Sequence, residues 1–192
     1  MGLITREQLV ELAPNAKQAS LLVESVNTWL PKYDITGLRF IHFIAQTAHE
    51  SGRFVYYQEI WGPTRQQQRY DSPINGSLAR QLGNIMKGDG SRFRGRGPIQ
   101  LTGRGNYTKR QKLIQTLFGV DILANPELVA RADIGIVVAC EYWKDRQINR
   151  LADKDDVEAV TRAINGGMNG YLDRVEMTKK AKEIWGYVEK VG

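Results

Sequence analysis

Residues 37–51 read GLRFIHFIAQTAHES, and the fold turns on how they are read. Leu38, Ile41, Ala45 and Ala48 recur at helical spacing, and Phe40, Phe43 and Ile44 widen that stripe around most of the circumference. A helix apolar over so much of its surface belongs at the centre of a helical protein. It runs from about Gly37 to Ser51, which places Glu50 in the last turn, just before Gly52. Further along, past the aromatic stretch FVYYQ, stands a second carboxylate, Glu59.

Outward from this helix the pattern stays helical. Thr5-Arg6-Glu7-Gln8 has the form of a capping box, and Pro14 closes the short helix it opens. A second helix is predicted over 16–30, stopped by Pro31. Beyond the middle of the chain, helices are predicted over 106–118, ending at Gly119, and after Asn125-Pro126, a cap followed by proline. Ile134, Val137, Val138 and Tyr142 mark a buried helix. Another begins at Asp155, carries Val157, Val160 and Ile164, and stops at Gly166-Gly167. The last, from 171 to about 188, is basic on its outer face.

Between Trp61 and Gly105 the texture changes. Gly, Pro, Asn and Asp punctuate the chain in GPT, DSPING, KGDG and GRGP, and only 77–86 is predicted helical. RFRG at 92–95 reads as half of a small hairpin. A loop-rich stretch this long inside a compact domain is more often a site than a spacer.

The chain has 192 residues, the length of one domain, with no internal repeat and no Pro/Ser-rich linker, so 1–192 is expected to be a single domain. Hydrophobic residues at 42% and charged residues at 25% describe a globular protein and not a disordered one. No apolar run reaches the roughly 18 residues of a membrane helix. MGLITREQLV lacks the basic and apolar regions of a secretory signal, so synthesis without an address of its own is expected. Cys140 is the single cysteine; its setting, IGIVVACEYW, predicts a small buried apolar residue. A net charge of +6 favours anionic polymers, whether nucleic acid, lipid or cell wall, without choosing among them.

Several constellations carry chemistry. Glycosidic cleavage needs an acid for the leaving oxygen and a second carboxylate, as base or nucleophile. Glu50, at the end of a nearly all-apolar helix, is expected to be desolvated, which suits it to the acid role. Glu59 lies in a more polar, loop-like setting. Two glutamates at this spacing also occur as ordinary solvated residues. His49-Glu50 raises the helical zinc motif, but Arg53 stands where the second histidine is required, so no metal site is expected. GDGSRFRGRGPIQLTGRGNY fits neither phosphate-loop pattern: no GKS or GKT follows, and Phe93 stands where the dinucleotide motif needs glycine. Arg92, Arg94, Arg96 and Arg104 with Phe93 and Tyr107 could bind nucleic acid through phosphate contacts and stacking. The plainer reading has those glycines making turns and those arginines pairing with acidic neighbours. Thr102 and Asn106 read by default as N-caps, and Trp61 and Tyr70 as either sugar platforms or aromatics packed under a loop.

Taken in order, AHESG, Glu59, RGRGPIQLTGRGNY, NPELVA and TRAINGG resemble family 19 of the glycoside hydrolases, from about residue 35 to 170. Within that family the chain is similar to the compact lysozyme-like members found as phage endolysins. The resemblance implies a mainly α, lysozyme-like fold with a loop-rich segment and a substrate cleft. It implies cleavage of β-1,4 links between N-acetylated amino sugars with inversion, with Glu50 as general acid and Glu59 as general base. Thr102 falls where the family has the residue that helps hold the attacking water. His49, Trp61, Gln100, Asn106 and Asn165 are implied as substrate-binding, and no cofactor is required. The expected substrate is the glycan strand of peptidoglycan, with chitin oligomers as the alternative. A monomer is expected, without nucleic acid or a separate wall-binding domain, and with weak contact to anionic membrane or wall polymers. An enzyme of this kind would wait in the host bacterial cytoplasm until a holin-type breach admits it to the wall.

Overall fold

The computed structural model describes residues 2–71 and 76–187. They form a mainly helical structure built around α3, Leu38–Glu50, in which every residue from Phe40 to Ala48 is buried. The all-round apolar reading of that segment therefore has its cause: neighbours stand on every side. Helix α1, Arg6–Leu12, opens on the Thr5 capping box, and α2, Ala19–Trp29, is followed by a 3₁₀ turn over Leu30–Tyr33 that takes up Pro31.

Three one-turn helices punctuate the loop-rich segment: α4 (Arg65–Gln68), α5 (Ser77–Gln81) and α6 (Asp89–Arg92). The longer helices resume with α7 (Arg104–Phe118) and α8 (Ala132–Asp145), then the single turn α9 (Asn149–Ala152), α10 (Val157–Asn165) and α11 (Tyr171–Ile184). α11 lies along α3, and α8 lies along α2. Phe43 meets Trp143 edge-on at 5.3 Å, and Phe40 meets Trp185 at 5.1 Å, which ties α3 to both neighbours. Truncating a buried aromatic such as Phe43 to alanine costs about 3–5 kcal/mol, so this junction is a principal source of stability.

The segment from Trp61 to Gly105 is secured largely by polar ties. Asp89, buried, accepts from the Ile85 and Met86 amides and from both Nε and Nη2 of Arg104. Asn84 donates to the Tyr70 carbonyl at 3.1 Å and accepts from the Arg104 amide at 2.8 Å. Arg96, also buried, donates to Gln58, to the Arg92 carbonyl and to the Tyr107 hydroxyl.

Several sequence expectations shift. The helix predicted over 77–86 is a single turn ending at Gln81, and the predicted hairpin half at 92–95 is the last residue of α6, its cap Phe93 and two residues of irregular chain. Strand-like pairing falls one residue later, where Arg96 bridges Gln58 and Leu101. α7 begins at Arg104 behind Gly103, so neither Thr102 nor Asn106 is its cap. Gly103 is required there: its φ of 93° is left-handed, and a Cβ would collide with the Leu82 carbonyl. Asn125 precedes a 3₁₀ turn, Pro126–Ala130, and Asp156, one residue after the expected start, caps α10 through the Ala159 amide. α11 ends at Ile184, capped by Trp185, short of the predicted end at 188, which lies outside the described residues.

Candidate active site

Glu50 is the last residue of α3, and the turn that follows fixes it. Gly52, Arg53 and Phe54 all have left-handed φ, between 56° and 61°. A non-glycine residue pays roughly 1–2 kcal/mol for that conformation. Local bonds hold it: the Ser51 hydroxyl donates to the Thr47 carbonyl and accepts from the Phe54 amide, while Phe54 itself is fully buried. The chain is thereby turned sharply away, and Glu50 is left lining a cavity.

The surroundings of Glu50 are not the purely apolar ones expected from its helix. Arg174 of α11, with a side chain only 1% exposed, donates through Nη2 to Glu50 Oε1. The same guanidinium donates to Gln46 Oε1 at 2.5 Å and to the Asn169 carbonyl at 3.2 Å. Gln46 lies one helical turn before Glu50, so one buried arginine reads two residues on the same face of α3.

Glu50 shares a cavity of about 380 Å³ with Gln100, Thr102, Asn106 and Asn165, joined by Tyr70, Tyr142 and Arg146. The lining comes from the end of α3, the start of α7 and the turn before it, the ends of α8 and α10, and, through Tyr70 and Leu82, the loop-rich segment. Gln100 holds a left-handed φ of 52°, a strained conformation of the kind that clusters at functional sites. Its amide donates to the Tyr56 and Gly97 carbonyls. Thr102 donates its hydroxyl to the Gln100 carbonyl at 2.8 Å, which leaves its oxygen lone pairs available, and Asn106 donates to the Thr102 carbonyl at 2.7 Å. Asn165 ends α10 ahead of the left-handed Gly166.

Glu59 lies in the loop after α3 and is not among the residues that line this cavity. Its Oε1 accepts from Gln67 Nε2 at 2.9 Å and its Oε2 from the Gly95 amide at 3.0 Å, while its own amide donates back to the Gly95 carbonyl. Gly95 is the hub. A Cβ placed on it would lie 2.8 Å from Gln100 Oε1 and 3.3 Å from Thr102 Oγ1. The residue that holds the Glu59 carboxylate is therefore the one whose missing side chain leaves space beside Thr102 and Gln100. Tyr70, in the cavity wall, is close enough to Glu59 for charge to matter: burial pushes its phenol up, and the Glu59 charge adds to that.

Two residues implied as substrate-binding sit elsewhere. His49 packs against Gly170 and bonds Asp173 through Nδ1 at 2.5 Å, on the α11 side of the helix end. Trp61 faces Tyr70 with ring centroids 6.1 Å apart and has Arg94 over its ring at 6.0 Å. Neither borders the cavity that Glu50 lines. Most of the arginines that raised the nucleic-acid reading are engaged internally: Arg96 as above, Arg104 on Asp89, and Arg92 on the Leu123 and Ala124 carbonyls. Among the described residues no group of three or more His, Cys, Asp or Glu side chains gathers as a metal site.

The sequence reading missed Arg174, Gly95, Gln67 and Arg146. Gly95 and Gln67 were visible only as turn and loop residues. Arg174 has no local signal, because its partners Gln46 and Glu50 lie more than a hundred positions away.

Glu50 at a helix end lines a polar cavity, and Glu59 is clamped by Gln67 and Gly95 in the loop beyond it. The chain belongs to family 19 of the glycoside hydrolases: the family's sequence profile, described as Chitinase class I, matches residues 34–170. It is 37% identical over 157 residues to a glycosyl hydrolase family 19 domain-containing protein of Haemophilus influenzae, covering 70% of this chain and 74% of that one. An Arabidopsis thaliana protein, endochitinase At2g43610, is 33% identical over 124 residues, covering 65% of this chain; the match spans 38% of that plant protein's length. Chitinase C from Streptomyces griseus superposes with a TM-score of 0.70 at 21% identity, over 96% of this chain and 93% of that structure. That likeness establishes the lysozyme-like chitinase fold.

Proposed function

We propose that this glycosidase hydrolyses the β-1,4 bonds of bacterial peptidoglycan with inversion, and serves phage-type lysis of a host cell. The observation that supports the mechanism is the arrangement about Gly95: its amide holds the Glu59 carboxylate, a Cβ on it would reach Thr102 and Gln100, and Thr102 and Gln100 line a cavity with Glu50. Glu50 donates its proton to the glycosidic oxygen. Arg174 occupies Oε1, leaving Oε2 for that proton, and it steadies the anion once the proton has gone. Glu59, oriented by Gln67 and Gly95, takes a proton from a water seated against Thr102, and that water attacks the opposite face of the sugar. An inverting pair stands about 6.5–9.5 Å apart to admit the water. Every step moves a proton between carboxyl, water and glycosidic oxygen, so the scheme calls for no metal or organic cofactor.

Chitin is the second reading, favoured by the names of the relatives, which include an endochitinase. The net charge of +6 favours the wall, whose polymers are anionic. On this account the enzyme acts as a monomer from the host cytoplasm, after a holin-type opening of the membrane. Purified protein should clear the turbidity of outer-membrane-permeabilised cells, and mass spectrometry of the new reducing ends would name the linkage. Intact wall alongside cleaved chitin hexamer would establish the chitinase reading instead.

A further inference from the structure

Arg146 stands where α8 ends, and its setting calls for explanation. Its guanidinium carbon lies 3.5 Å from the centroid of the Tyr142 ring, a close cation–π stack. The backbone fixes it there. The Gln147 amide donates to the Lys144 carbonyl and the Ile148 amide to the Trp143 carbonyl, the paired bonds of a Schellman stop. Gln147 occupies the left-handed position, φ 52°, that glycine usually fills. Tyr142 is anchored in turn, donating its hydroxyl to the Ile164 carbonyl at 2.6 Å.

Arg146 and Tyr142 both line the cavity with Glu50 and Asn165, and Arg146 is the one cation among the described residues that do so. None of the ion pairs among the described residues involves it. Most arginines near the site have their donors satisfied by carboxylates or carbonyls: Arg174 on Glu50, Arg104 on Asp89, and Arg96 on Gln58 and Arg92. Arg146 is instead held against an aromatic ring, and it lines the cavity that Glu50 borders. A neutral polymer of N-acetylglucosamine offers its guanidinium nothing but hydroxyls and amides. A glycan bearing carboxylates offers its matching partner.

The geometry points to Arg146, stacked on Tyr142, as a recognition site for a carboxylate carried by the glycan, making it a specificity-determining residue for acidic wall polysaccharide over chitin. This rests on the glycosidase reading of the cavity and deepens it by naming the substrate class. In peptidoglycan the carboxylate has two sources: the lactyl ether of the muramyl sugar, free where the peptide has been removed, and the stem peptide itself. The chemistry recognised is the same.

The test measures binding to the Glu50→Gln protein, so that turnover does not enter. Ligands are soluble peptide-free muramyl oligosaccharides, the same oligosaccharides with stem peptides, and chitin oligomers of equal length, followed by calorimetry. The protein should prefer muramyl ligands, and adding Arg146→Gln should reduce that preference roughly five- to tenfold, the scale of a charge-assisted contact. Arg146→Lys should fall between, since it keeps charge without the planar fork. Loss only with the peptide-free ligand assigns the lactyl carboxylate, loss only with the peptide-bearing one assigns the stem, and loss with both shows that Arg146 reads either carboxylate. Equal weakening toward chitin and muramyl ligands, or no change with either, would overturn the inference. Wall digestion by the unmodified enzyme is scored separately. Failure to digest wall would remove the proposed function while leaving this binding result to stand or fall alone.

Discussion

Gly95→Ala separates the catalytic geometry from the stability of the fold. Gly95 does not have a left-handed φ, so alanine fits its backbone, and the amide that holds Glu59 is kept. The added methyl would sit 2.8 Å from Gln100 Oε1 and 3.3 Å from Thr102 Oγ1. The nearer atom is the tip of a flexible side chain, so Gln100 turns aside and gives up its bonds to the Tyr56 and Gly97 carbonyls. Each such bond contributes about 0.5–1.5 kcal/mol, and part is recovered from solvent. Replacing glycine by alanine at a compatible site returns about 0.4–1 kcal/mol through the unfolded chain. The net loss should be close to 1 kcal/mol, a fall of roughly 2–4 °C in Tm for a chain of this size. Catalysis should suffer far more, because the methyl enters the space assigned to the attacking water. Misplacing a reacting group by about 1 Å, or losing one preorganised contact, costs on the order of 10²-fold or more in kcat. Turnover on permeabilised cells or chitin hexamer, alongside thermal unfolding, would measure both. A folded variant with kcat within about threefold of the parent, less than ~0.7 kcal/mol of barrier, would refute the placement of the water.

Three further outcomes follow from the same contacts. Arg174→Met strands the buried Gln46 carbonyl and the Glu50 carboxylate, and should cost about 3–5 kcal/mol by urea unfolding; a loss below ~1 kcal/mol would show that the pair is not buried as described. Gln147→Gly removes a left-handed side-chain conformation and should raise stability by up to about 1 kcal/mol, read as a small rise in Tm; a fall would mean that the Gln147 side chain contributes more than its backbone strain. Acid should unfold the protein in two stages. Burial holds the His42 ring below the usual histidine value despite its bond to Asp155, so the unfolded state binds that proton first and stability declines as pH falls below about 6.5. Asp173, through Arg53 and His49, and Asp89, where Arg104 and two amides outweigh burial, are held below the ordinary aspartate range. Their contribution is complete above about 3.9 and is lost as pH drops through the lower folded values. Unfolding midpoints measured from pH 8 to 3 test both stages, and a flat profile from 7 to 5 would remove His42 from the account.

The helices that bury one strong apolar face were legible in the chain, and so were their stops. α3, α7 and α10 end where glutamate–serine, Gly119 and Gly166 said they would, because periodicity and left-handed glycines are local signals. The start of α7 was not legible, since Thr102 and Asn106 are good caps in isolation and the close approach of Leu82 that demands Gly103 is tertiary. Glu50, Gln100, Thr102, Asn106 and Asn165 do meet at one cavity. What surrounds them was hidden. Arg174 lies in a helix rich in lysine and glutamate, where an arginine reads as solvated surface, and only the packing of α11 on α3 buries it. Arg146 likewise looks like an ordinary charge at a helix end until the Schellman turn lays it on Tyr142.

The central claim is that Glu50 and Glu59 act as acid and base on opposite faces of one sugar. The anomeric form of the first product from a β-linked oligomer, read by NMR before mutarotation, tests it most directly. An α-anomer is predicted. A β-anomer would mean retention of configuration and would contradict the account.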